Sequence, residues 1–156
     1  MIAAHRPATP VLDVDALRFL PDGITVAPGC ALSHFDIELC LGQQLDAVGT
    51  DFVIDLGGDT LFRSCADNNA RLDQLRNFKL ARGIHVVLLC ASESVALRRF
   101  LSCKGRTPDM FAPQWNEWRD VAAPYWHACA DSVIETDNLD LNSESGQGKF
   151  LKMLVQ

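Results

Sequence analysis

Apolar runs that end in acids and glycines alternate, along this chain, with stretches of helical period. The run at residues 52–56 empties into Gly57-Gly58-Asp59, and the run at 84–90 empties into Ala91-Ser92-Glu93. Continuous apolar runs of this length predict strands covered on both faces, as parallel sheets require. Shorter extended segments are expected at 10–15, 24–28 and 132–136. Leu72, Leu75, Phe78 and Leu80 approximate a 3.6-residue period, which predicts a helix capped by Asn68 or Asn69 and closed by Gly83. A second helix is expected at 94–101 with Ser92 as its N-cap, and a third from about 113 to 127, bent or broken by Pro124. Residues 33–48 predict a weaker helix, interrupted by Gly42, and 16–20 a single helical turn stopped by Pro21-Asp22-Gly23. The polar stretch 138–148 is expected to be flexible, and 149–155 a short terminal helix or tail. Strands alternating with helices predict an α/β protein, a parallel sheet flanked by helices.

Composition narrows the function classes. The 156 residues are 48% hydrophobic and 22% charged, which suits one globular domain, expected at 1–139 and followed by a tail at 140–156. Twenty acids against 14 bases give a formal net charge of -6, which argues against binding a nucleic-acid backbone. No apolar run approaches the roughly 20 residues of a spanning helix, and the first ten residues lack a secretory signal pattern, so a soluble, cytoplasmic protein is expected. The six cysteines form no C-x-x-C pair and the four histidines share no ligand spacing. Reduced, structural thiols follow, without a zinc or redox motif.

The candidate chemistry lies at the strand ends. Ligands of α/β proteins gather outside the carboxyl ends of parallel strands, where Asp13, Asp15, Asp55 and Asp59 are expected. Gly57 and Gly58 allow backbone amides to approach a substrate where a Cβ would intervene. Arg63, just beyond this turn, is the expected ligand for an anionic substrate group. The competing reading makes these acids simple caps of turns and helices. Trp115, Trp118 and Trp126 read as packing against the core or a partner.

The order of these motifs resembles the shikimate-kinase-like branch of the P-loop kinases over about residues 10–139. Asp13 and Asp15 match that family's Asp-x-Asp strand end, and Gly57, Gly58 and Asp59 its substrate-contacting glycine turn. Arg99 and Arg106 repeat the seven-residue spacing of its adenine-packing and lid arginines, and Arg106-Thr107-Pro108 is similar to its lid step. Pro124-Tyr125 and 133–137 look like its closing helix and strand. The resemblance implies ATP-dependent phosphoryl transfer to a small hydroxyl acceptor. Asp15 would position and deprotonate the acceptor, Asp13 and Asp55 would serve magnesium, and Arg99 and Arg106 the nucleotide. Arg106 would also neutralise charge on the transferred group, while Gly57, Gly58, Asp59 and Arg63 hold the acceptor. The sequence departs from the family in lacking the loop G-x-x-x-x-G-K-[ST], which grips the β- and γ-phosphates. The expectation is therefore a kinase-like chain that is N-terminally truncated or inactive by itself. The alternative is a noncatalytic binding or interaction module built on the same fold, using the aromatic helix near Trp115 and Trp118. Loss of a first strand would expose apolar surface beside Val11, so a homodimer is expected.

Overall fold

The computed structural model describes residues 11–13, 53–56, 61–64, 66–103, 105–140 and 143–154. The segments predicted at 16–20, 24–28 and 33–48 lie outside them. Two short parallel ladders carry the strands. In the first, β1 (Val11–Asp13) pairs with β2 (Val53–Asp55), and in the second β3 (Val87–Cys90) pairs with β4 (Ser132–Glu135). Helix α1 (Asn68–Arg82) leads into β3, and the helices α2 (Glu93–Ser102), α3 (Pro108–Glu117) and α4 (Ala123–Cys129) form the crossover to β4. A closing helix, α5 (Glu144–Leu154), follows. Parallel strands joined through helices make this an α/β protein with a small parallel sheet flanked by helices.

Helix α1 forms where the period predicts it, with two corrections. Its cap is Asp67, whose carboxylate accepts the Ala70 N–H at 3.1 Å. Asn68 instead turns back on the preceding loop, accepting the Arg63 N–H at 3.1 Å and donating to the Arg63 carbonyl at 3.0 Å. Gly83 closes the helix at φ 64°, a left-handed conformation that costs glycine little. The buried stripe runs through Asn68, Arg71, Leu72, Leu75 and Phe78, leaving Leu80 on the solvent side. Two residues past Phe78 is about 200° around a helix, which puts Leu80 opposite the core. Buried Arg71 donates to the Leu61 carbonyl.

The core joins this stripe to Leu61, Phe62, Val86, Leu88, Trp126 and Cys129, with Ile54 and Leu56 packed against it. Phe62 is fully buried, stacked on Tyr125 at 5.2 Å and edge-on to Trp126 at 5.1 Å. Burying such aromatics contributes about 1.5–3 kcal/mol each.

The crossover differs most from the sequence expectation. α3 starts at Pro108, with Thr107 at the N-cap position, because proline at a first helical position loses no hydrogen bond. Pro113 therefore sits inside the helix instead of opening it. Pro124 ends nothing either. A π-helical turn over Trp118–Ala122 precedes it, in which the Ala123 N–H reaches back to the Trp118 carbonyl. A proline ring collides with the carbonyl four residues earlier, here Asp120, and the wider turn lies across that position. α2 starts after Ser92, but the Ser92 hydroxyl makes no cap bond; it lies 3.3 Å from the Ser94 hydroxyl. β3 is shorter than the run 84–90, and α5 begins at Glu144, five residues before the predicted terminal helix.

Candidate functional site

Position by position, the register of the first ladder sets Val11 opposite Val53, Leu12 opposite Ile54 and Asp13 opposite Asp55. Both strands run the same way, so the two aspartates stand side by side at the carboxyl end of the ladder. Asp55 is exposed there. Among the described residues, no group of three or more His, Cys, Asp or Glu is arranged to hold a metal ion. Asp15, Gly57, Gly58 and Asp59 lie outside the described residues.

Arg63 is part-buried at the start of the loop before α1, where the Asn68 side chain fastens its backbone on both sides. From the same loop the Ser64 N–H donates to the Glu117 carboxylate at 2.7 Å, tying it to the end of α3.

The two arginines meet different partners. Arg99, on α2, donates to the Thr136 hydroxyl at 2.7 Å, to the Thr136 carbonyl at 2.6 Å and to the Leu139 carbonyl at 3.4 Å. Its guanidinium therefore ties the helix to the segment leaving β4. Arg106 follows Gly105, whose φ of 78° reverses the chain between α2 and α3, and its guanidinium lies 4.9 Å over the Phe100 ring. Cation–π placement of this kind holds an exposed arginine without an ion pair. Phe100 meets Phe111 at 5.5 Å, and Phe111 stacks on Trp115 at 5.6 Å, so an aromatic row runs from Arg106 into α3.

That row ends at a feature the sequence did not announce. Outside the carboxyl ends of β3 and β4 lies a cleft of about 310 Å³. Ser92, Glu135 and Asp137 line it from the strand ends, and Trp115, Trp118 and Arg119 from the helices. The Asp137 carboxylate accepts the Ser92 N–H at 2.7 Å, which holds it below the usual carboxylate range. Arg119 is engaged by its neighbour, donating through Nε and Nη2 to Asp120 at 2.6 and 2.8 Å. Cys90 also borders the cleft, but burial and the adjacent Glu135 charge push its thiol up, away from thiolate chemistry. Among the described residues, none of Asp55, Arg63, Arg99 and Arg106 lines this cleft. The legible signal was topological: carboxyl ends of parallel strands collect ligands, and Asp137 closes one of them.

No helix among the described residues is long and apolar enough to cross a membrane. Comparison of the chain with protein-family models, with curated proteins and with solved structures finds no match in any of the three.

Proposed function

We propose that this chain is a relative of the shikimate-kinase-like phosphotransferases, built on an α/β fold of the P-loop-kinase type without its phosphate loop. The observation that carries the reading is the pairing of Asp13 with Asp55 at one end of a parallel ladder. In this reading Asp13 and Asp55 would hold a magnesium ion, which would supply positive charge to offset that of a bound triphosphate. Asp15 orients the acceptor hydroxyl and takes its proton. Gly57, Gly58, Asp59 and Arg63 hold a small hydroxyl-bearing acceptor, and Arg106 meets the transferred group from the α2–α3 connection. Arg99 would pack on the nucleotide base from α2. These 156 residues hold no G-x-x-x-x-G-K-[ST] loop, so the grip on triphosphate is weak and phosphoryl transfer needs a loop from outside them.

A second reading, a noncatalytic binding module, is favoured by one observation. Arg99 spends its guanidinium on Thr136 and Leu139 rather than facing outward.

Manganese, a paramagnetic substitute for magnesium, separates signal from background. Titrated into the isotope-labelled protein, it is expected to broaden the amide resonances around Asp13 and Asp55 first, and the Asp13→Asn, Asp55→Asn double variant to lose that effect. Broadening centred elsewhere removes the phosphotransfer reading. Magnesium-ATP is then expected to bind more weakly than micromolar, and Arg106→Ala to weaken it further. Complete indifference to magnesium-ATP, with manganese still localised, selects the noncatalytic module.

A further inference from the structure

We propose that the cleft at the ends of β3 and β4 binds a small organic cation, with Glu135 as its counter-ion and Trp115 and Trp118 as its walls. This inference uses none of the residues of the phosphotransfer reading and stands or falls apart from it. The volume, about 310 Å³, is at the lower end of small-molecule sites, which fits a one-ring ligand.

Charge decides the sign of the ligand. Four titratable side chains besides the Cys90 thiol border the cleft: Arg119, His127, Glu135 and Asp137. Arg119 is neutralised by its two-pronged bond to Asp120. Asp137 is committed to the Ser92 N–H and feels Arg98 and Arg99. His127 is exposed on α4. Glu135, exposed at the end of β4, makes no hydrogen bond or ion pair among the described residues. Its charge registers on Cys90, its ladder partner, whose thiol it helps to keep protonated. Among the described side chains at the cleft, the carboxylate or guanidinium left without a partner is thus Glu135, and its charge is negative.

The walls favour a cation as well. Indole faces attract cations more strongly than other aromatic rings do. Stacking on Phe111, with 17° between the ring planes, fixes Trp115, and packing against the core fixes Trp118, so the walls stand preformed. The Trp115 indole N–H is buried and has no acceptor among the described residues. That nitrogen is closed to solvent, so the ring offers a ligand its apolar surface rather than its N–H. The chemistry that fits is a planar ring bearing an amidinium or ammonium group.

Three one-ring probes test this: benzamidine, the neutral benzamide and benzoate. Tryptophan fluorescence and the Trp115 indole N–H resonance report binding. The amidine is expected to bind about tenfold more tightly than the amide, with the benzoate weakest, and added salt is expected to narrow the gap. Glu135→Gln should bring the amidine to the level of the amide, while Glu135→Asp keeps a preference. Equal binding of amidine and amide, preference for the benzoate, an unchanged order in Glu135→Gln, or no saturable signal at millimolar probe overturns the proposal. Because Glu135 is exposed, the variants are expected to melt like the parent, and the carboxylate-retaining Glu135→Asp separates loss of charge from loss of fold.

Discussion

Asp131 shows how one residue fastens two elements. Its carboxylate accepts the Lys79 ammonium at 2.6 Å and the Val86 N–H at 2.8 Å, so it clamps the end of α1 to the approach of β3. Lys79 also donates to the Cys129 carbonyl at 3.0 Å, which draws in the end of α4. The Lys79 hydrogen bond comes first in holding the Asp131 carboxyl below its usual range, followed by the Val86 N–H, with smaller help from the charges of Lys79 and His85. The sign follows directly. A lowered folded pKa gives stability that is present above the unfolded value of about 3.9 and is lost as pH falls through the folded value. Asp131→Asn is therefore expected to cost about 1 kcal/mol at neutral pH, after discounting for solvent screening at a partly exposed pair. It should also flatten the loss of stability below pH about 4. Urea melts at pH 7 and pH 3 check both effects, and equal losses at the two pH values would contradict the clamp.

At the scale of elements, Thr136 holds the second ladder to α2. It is buried, its hydroxyl donates to the Cys90 carbonyl at 2.7 Å, and the same oxygen accepts from Arg99. Thr136→Val keeps the shape and removes both bonds, leaving an arginine donor unpaired, so a loss of about 1–3 kcal/mol is expected in a denaturant melt. Arg99→Lys should recover part of what Arg99→Ala loses if the tie is charge alone. The planar fork predicts that it recovers little. Asp67→Ala should cost about 1 kcal/mol through α1 alone, measurable as faster amide exchange in the first turn of the helix. These ties explain what was legible and what was not. Helix α1, its Gly83 stop and the parallel strands follow local period and turn chemistry, which the sequence displays directly. The Asp67 cap was missed because Asn68 and Asn69 compete for the same role, and Asn68 is drawn away by Arg63. The π-turn was missed because a proline reads as a break wherever its clash with an earlier carbonyl is not relieved by a wider turn. Glu135 and Asp137 come to border a cleft only through the turn at Ser92, α3, the π-helical turn and α4, and contacts spanning some 45 residues, such as Ser92 to Asp137, leave no mark on local periodicity.

At the scale of the molecule, each ladder has two strands among the described residues. Parallel strands are ordinarily covered on both faces, and an isolated pair of strands is marginal. In the second ladder Leu88 faces Val133 across the register and Leu89 faces Ile134. Leu88 and Ile134 are buried, yet Leu89 and Val133 are each 46% exposed. Each face of the ladder thus pairs a covered aliphatic with an open one. Fully burying such a side chain contributes about 1.5–3 kcal/mol, so the exposed half of each is worth about 1 kcal/mol. Because the two stand on opposite faces, one contact between two protomers uses one of them from each and supplies about 2 kcal/mol, below the lower estimates of what association costs in lost freedom. A tight dimer is therefore not expected from either face, and weak, concentration-dependent self-association through one of them is the most this apolar area supports. Sedimentation velocity over a rising protein concentration should show the average mass climbing above that of a 17.2 kDa monomer. Of Leu89→Lys and Val133→Lys, the one on the contacting face should hold the mass at the monomer value, the other should leave it unchanged, and both should keep the melting transition cooperative. A parent chain that stays monomeric at hundreds of micromolar would show that this aliphatic surface drives no association, and a mass unchanged by either lysine would move the contact to another face.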